Sequence, residues 1–181
     1  MVKEMIDELK QTILNIGFFE TGKVDIDRLQ YNQEIRDICE GNTCRGYGTS
    51  WACPPAVGTL AECKQRVEQY NNMLLFSGKF EIDDSFDFEG MIEGMFQFKR
   101  MVDQLDDEIK DILNQYQLLS NEGCGRCDNC TWPYASCRFP DKLYHSIEGY
   151  GFQINQLAEQ AGIRYNNGQN TVTYFGALLF S

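Results

Sequence analysis

The sequence predicts an α+β fold, a small mixed sheet covered by helices, with two cysteine-rich metal-binding loops at one edge. Three observations predict it. Helical and extended periodicities alternate along the 181 residues. The apolar share, 43%, is enough to bury an ordinary core without cross-links. The eight cysteines gather in two stretches where neither periodicity continues, except Cys63. No internal repeat or low-complexity linker divides the chain, so residues 1–181 are expected to form one cysteine-rich metal-binding domain.

Residues 2–17 set Met5, Ile6, Leu9, Ile13, Leu14 and Ile16 at helical spacing and end at Gly17. Residues 23–29 alternate through Val24, Ile26 and Leu29, which predicts a short strand. A helix over 59–72 is expected next, because Thr59 and Glu62 have the spacing of a capping box. The apolar run Met73-Leu74-Leu75-Phe76 opens a buried strand that reaches about Ile82. A long helix then runs from Ser85 or Asp87 to about Tyr116, its stripe built from Phe88, Met91, Ile92, Met95, Val102, Leu105, Ile109, Ile112 and Leu113. Gln117 to Ser120 reads as a strand leading into the second cysteine group. Residues 152–161 fit a helix stopped at Gly162, and Thr171 to Phe180 forms the clearest strand, preceded by an Asn167-Gly168 turn.

The second cysteine group reads Cys124-Gly125-Arg126-Cys127-Asp128-Asn129-Cys130, then Cys137-Arg138-Phe139-Pro140. Three thiolates at successive steps of three can wrap one corner of a cubane, each meeting a different iron. Bacterial ferredoxin sequences open in the same way and place a fourth Cys beside a Pro. Zinc is the weaker reading, because it favours two separated C-x2-C knuckles closing one tetrahedron. Disulfides are disfavoured, since they staple small secreted chains with poor cores. The first group holds Cys39, Cys44 and Cys53, the last inside Gly46-Tyr47-Gly48-Thr49-Ser50-Trp51-Ala52-Cys53-Pro54-Pro55. Trp51 and Tyr47 are candidates to shield a cluster from water, or simply to pack. Cys63 is either the fourth ligand of this group or a small buried residue on the stripe Leu60, Cys63, Val67, Tyr70. A closed four-thiolate site suits electron transfer; an open iron invites a substrate.

These blocks resemble the predicted metal-binding proteins grouped as domain of unknown function 2284. The resemblance rests on Cys44-Arg45-Gly46-Tyr47-Gly48-Thr49-Ser50-Trp51-Ala52-Cys53-Pro54-Pro55, on Cys124-x2-Cys127-x2-Cys130-x6-Cys137, and on Ser146-Ile147-Glu148-Gly149-Tyr150-Gly151. It implies a metal-binding protein of iron–sulfur type, typical of anaerobic bacteria and archaea, without a settled reaction. By motif position it carries over Cys39, Cys44, Cys53, Cys124, Cys127, Cys130 and Cys137, and not Cys63.

Composition narrows the rest. A net charge of −11 ill suits nucleic acid, whose binding runs on Lys and Arg displacing counterions. No apolar stretch approaches the roughly 20 residues of a spanning helix, and residues 1–9 lack a signal peptide's continuous apolar core. A cytoplasmic location is therefore expected. Between Glu81 and Asp111 lie eleven acids and three bases, so most of the net charge sits on the long helix and its approach, as a solvated face or a docking surface for a basic redox partner. Arg45, Arg126 and Arg138 stand beside cysteines, where a cation would raise a cluster's potential. His145 is the one histidine, which excludes multi-histidine metal sites. No G-x-G-x-x-G or Walker-type loop is present.

The expectation is thus a protein carrying two iron–sulfur clusters, [4Fe–4S] in both loops, and transferring electrons in an anaerobic system. Its ligands come from Cys39, Cys44, Cys53, Cys63, Cys124, Cys127, Cys130 and Cys137, with Cys137 able to serve either cluster. The alternatives are an enzyme whose open iron binds a small substrate or corrinoid-like cofactor, and a zinc-stapled interaction protein.

Overall fold

A computed structural model describes residues 2–121 and 123–181. Five strands form one mixed sheet in the order β1-β2-β5-β3-β4. They are β1 (Glu20–Val24), β2 (Asn72–Glu81), β3 (Tyr116–Ser120), β4 (His145–Ser146) and β5 (Thr171–Phe180). β2 and β5 pair antiparallel along their whole length, from Asn72 opposite Phe180 to Glu81 opposite Thr171. β1 and β3 flank this central pair, also antiparallel. Only the short β4 runs parallel to its neighbour, β3.

Both faces of the sheet are covered, which is why the central strands β2 and β5 contain unbroken apolar runs, Met73–Phe76 and Ala177–Phe180, rather than alternating ones. Leu74 and Phe76 of β2, with Leu178 and Phe180 of β5, face the helices α1 (Val2–Ile16) and α4 (Phe88–Ile109). Met73 and Leu75 turn the other way, onto α3 (Leu60–Val67), α5 (Ile154–Ala161) and the segment carrying Ile147, Tyr150 and Phe152. The capping box of α3 forms as its sequence requires, with Thr59 and Glu62 each bonding the other's backbone amide.

Four expectations are corrected. The strand sought over 23–29 ends at Val24, because the Asp25 carboxylate accepts from the Asp27 amide and turns Ile26–Arg28 into a single 3-10 turn. The helix expected over 59–72 stops at Val67, and residues from Asn72 join β2. The long helix ends at Ile109 instead of near Tyr116, since Tyr116 opens β3 opposite Phe180. Its buried stripe is Gly94, Phe98, Val102, Leu105, Asp106 and Ile109, while Phe88 and Ile92 face solvent. The helix α2 (Gln33–Glu40) was not anticipated from periodicity, because the one residue it buries is Arg36. No helix among the described residues is long and apolar enough to cross a membrane.

Candidate metal centre

Cys39 lies in the last turn of α2, half-buried. That helix is seated by Asn32, whose side chain caps it, and by Arg36, whose guanidinium donates to the Gly149 carbonyl at 2.7 Å. The chain then winds through Asn42 and Arg45, both at positive φ (54° and 59°), held by the Tyr47 amide on the Asn42 side chain at 3.0 Å. Gly46 lies beside two sulfurs of this loop: a Cβ at this position would stand 3.4 Å from the Cys53 sulfur and 3.5 Å from the Cys44 sulfur, at ordinary contact distance. Cys53 itself is buried, and the Ala52 carbonyl beside it accepts from the Ser146 amide of β4 at 2.8 Å.

Charge accumulates at this loop. Burial, the Glu148 carboxylate and the neighbouring Cys44 push the Cys39 thiol up to about 11, against the opposing pull of Arg36. Burial also raises Cys53, although hydrogen bonds from Ser146 and Ser50 work the other way. Three sulfurs and one carboxylate therefore feel one another in a half-buried place.

The second loop, 123–139, is tied to α4. Lys99 donates to the Gly123 carbonyl and to that of Cys124 at 2.7 Å. Arg126 makes a two-pronged pair with Asp103 at 2.7 and 3.0 Å, and the Tyr144 hydroxyl donates to the same carboxylate at 2.8 Å. Lys142 reaches Asp106 at 2.7 Å and Asp107 at 3.0 Å. Part of the acidic helix is thus a mounting for the loop rather than a solvated face. Within the loop, the Trp132 amide donates to the Cys130 sulfur at 3.5 Å and the Phe139 amide to the Cys137 sulfur at 3.4 Å. Arg138 closes the turn by donating to the Asn129 carbonyl at 2.7 Å.

The two loops meet through tryptophan. The Trp51 indole donates to the Ala135 carbonyl at 3.1 Å, and its ring stands edge-on to Trp132 with centroids 4.7 Å apart. Beneath this contact lies a cavity of about 350 Å³. Cys44 and Cys53 line it from the first loop, and Cys124, Cys127, Cys130 and Cys137 from the second. Cys39 faces a second cavity, of about 420 Å³, together with Cys44, Cys53 and Glu148.

Cys63 is placed elsewhere. It is fully buried in the core with Val57, Val67 and Tyr150, its sulfur 3.6 Å from the Val57 carbonyl and 3.8 Å from that of Gly149. All eight cysteines are free thiols. Among the described residues no three His, Cys, Asp or Glu side chains converge tightly enough for a single metal ion. A tetrahedral zinc with bonds of about 2.3 Å needs sulfurs only about 3.8 Å apart. The thiols of the two loops instead line the walls of the two cavities.

The family model for predicted metal-binding proteins with domain of unknown function 2284 matches residues 22–180. The chain belongs to this family. Nothing among curated proteins or solved structures matches it. The matched span of this metal-binding family takes in every cysteine and leaves out residues 1–21, which hold α1 and the first two residues of β1, and Ser181.

Sequence reasoning noted Glu148 and Ser146 without giving either a role. Both line the cavity beside Cys39 and Cys53. Gly149 explains how they come so close: a Cβ there would stand 2.5 Å from the Ser146 hydroxyl and 3.4 Å from Pro54. The available signal was that Ser146–Gly151 belongs to a resembling block although it holds no cysteine. His145 turns inward, its Nδ1 3.0 Å from the Tyr150 hydroxyl, which also accepts from Arg66 and Gln117 at 2.8 Å each.

Proposed function

We propose that this metal-binding chain carries two iron–sulfur clusters, each [4Fe–4S], and passes single electrons in an anaerobic redox system. Cys124, Cys127, Cys130 and Cys137 would hold one, and Cys39, Cys44 and Cys53 the other, with Cys63 left to the core. The observation that carries this reading is the cavity of about 350 Å³ into which both cysteine loops open, because ligands on its walls keep two redox groups side by side. The three-step spacing of Cys124, Cys127 and Cys130 favours iron–sulfur over zinc.

Iron–sulfur clusters supply one-electron storage at a potential set by net charge, hydrogen bonds to sulfur and solvent exposure. The chain's residues bear on all three. The amides of Trp132 and Phe139 point at Cys130 and Cys137, which favours the more negative, reduced state. Trp51 and Trp132, packed edge to face where the loops meet, are placed to limit solvent access there. Arg126 is neutralised by Asp103, so of the three neighbouring arginines it contributes least positive charge. The outward acids Glu89, Glu93, Glu108 and Asp111 suit a basic redox partner.

A second reading follows from Cys63 standing apart. Three thiolates beside a cavity of about 420 Å³ are also the make-up of an enzyme whose open iron binds a small molecule. Oxygen-free purification with metal and sulfide analysis and electron paramagnetic resonance tests both. About eight irons per chain with a broad absorption near about 400 nm support the cluster assignment. A signal that shifts on adding cyanide then favours the enzyme. Colourless protein holding zinc overturns both.

A further inference from the structure

The metal centre of the first loop lacks a fourth cysteine, and the chain offers another donor at the same place. Glu148 lies on the single turn Glu148–Tyr150, immediately after β4. Two contacts fix that turn against the ligand loop from opposite sides. On one, Arg36, one turn ahead of Cys39 on α2, grips the Gly149 carbonyl at 2.7 Å. On the other, Gly149 lies against Pro54, the residue after Cys53, where a Cβ would stand at contact distance, 3.4 Å, from the proline ring. The carboxylate is thereby held in the cavity lined by Cys39, Cys44 and Cys53.

We propose that Glu148 supplies the fourth, oxygen ligand of the metal centre held by Cys39, Cys44 and Cys53. The inference rests on reading that trio as a metal site. Its chemistry is asymmetric. Three thiolates bind soft iron firmly, whereas a carboxylate is a harder donor that yields more readily to an incoming ligand. The remainder of the cavity, walled by Ile35, Ile38, Tyr47 and Pro54, lies open beside it for whatever displaces the carboxylate.

The test compares the full chain with Glu148→Gln, Glu148→Ala and Glu148→Cys, all prepared without oxygen. Metal release to a chelator is followed in time, with circular dichroism to verify folding and paramagnetic resonance to read each cluster. The wild-type chain should release metal in two phases. The alanine and glutamine variants should speed one phase at least about tenfold and change one resonance signal. The cysteine variant should slow that phase and change the same signal. Wild-type release and spectra in all three variants would overturn the inference while leaving two metal centres in place. A wild-type chain that holds no metal at the trio would instead overturn the reading beneath it.

Discussion

Cys63 and His145 show how a residue's surroundings override its type. A cysteine in a chain with seven others looks like a ligand, yet Cys63 touches Val57 and Gly149 carbonyls and an Arg66 nitrogen at 3.8 Å, deep in an apolar cluster. Cys63→Ala is expected to leave metal content unchanged and to cost about 1 kcal/mol of stability through the lost sulfur contacts. Metal analysis and urea unfolding check both. His145 makes the opposite point about charge. Burial and the nearby Arg66 lower its pKa to about 4, so it sits neutral in the fold. The unfolded histidine takes up its proton near 6.5, hence the unfolded state binds more protons between these values. Stability should therefore fall as pH drops from about 6.5 towards 4, by up to about 3 kcal/mol from this group. His145→Gln should flatten that part of the pH profile of urea midpoints relative to wild type.

Among the elements, α4 has two occupations. Phe98, Val102, Leu105 and Ile109 press on the sheet, and Lys99, Asp103, Asp106 and Asp107 hold the second cysteine loop. Helical periodicity exposes the first occupation in the sequence and says nothing of the second, because charged partners carry no period. Asp103→Ala strips the acceptor from both Arg126 and Tyr144. The expected loss is about 1–2 kcal/mol, with metal leaving the second loop faster than from wild type. An unfolding curve and a chelator time course are the measurements. α2 hid for a related reason: its buried face is a single arginine, and its isoleucines line a cavity instead of a core.

For the whole molecule, the two hydrophobic clusters on either side of the sheet contain Cys63 and no other cysteine. Metal removal is expected to act on the loops. The layered core argues for a local effect, because Leu74, Phe76, Met73 and Leu75 stay packed whatever the loops do. Chelation should leave most of the far-ultraviolet circular dichroism intact. Amide exchange should rise over 42–53 and 123–139, and Trp51 and Trp132 fluorescence should shift as the indole contact opens. Collapse of the sheet's amide protection on metal removal would show that metal and core fold as one.

Local pattern determined much of this protein. The long strands, α1, the capped start of α3, the start of α4 and the stop of α5 at Gly162 are all readable, because capping, turn chemistry and unbroken apolar runs act over a few residues. Cysteine spacing likewise pointed to a metal-binding protein, and the family the chain belongs to bears this out. Tertiary structure decided what lay between distant segments. It set Cys63 inside the core, joined the loops through Trp51 and Trp132, turned part of an acidic helix into their support and carried Glu148 to the cysteine trio. These pairings span tens of residues and depend on strand order and on β4 lying beside β3. The periodicity of one chain contains no term for that neighbourhood.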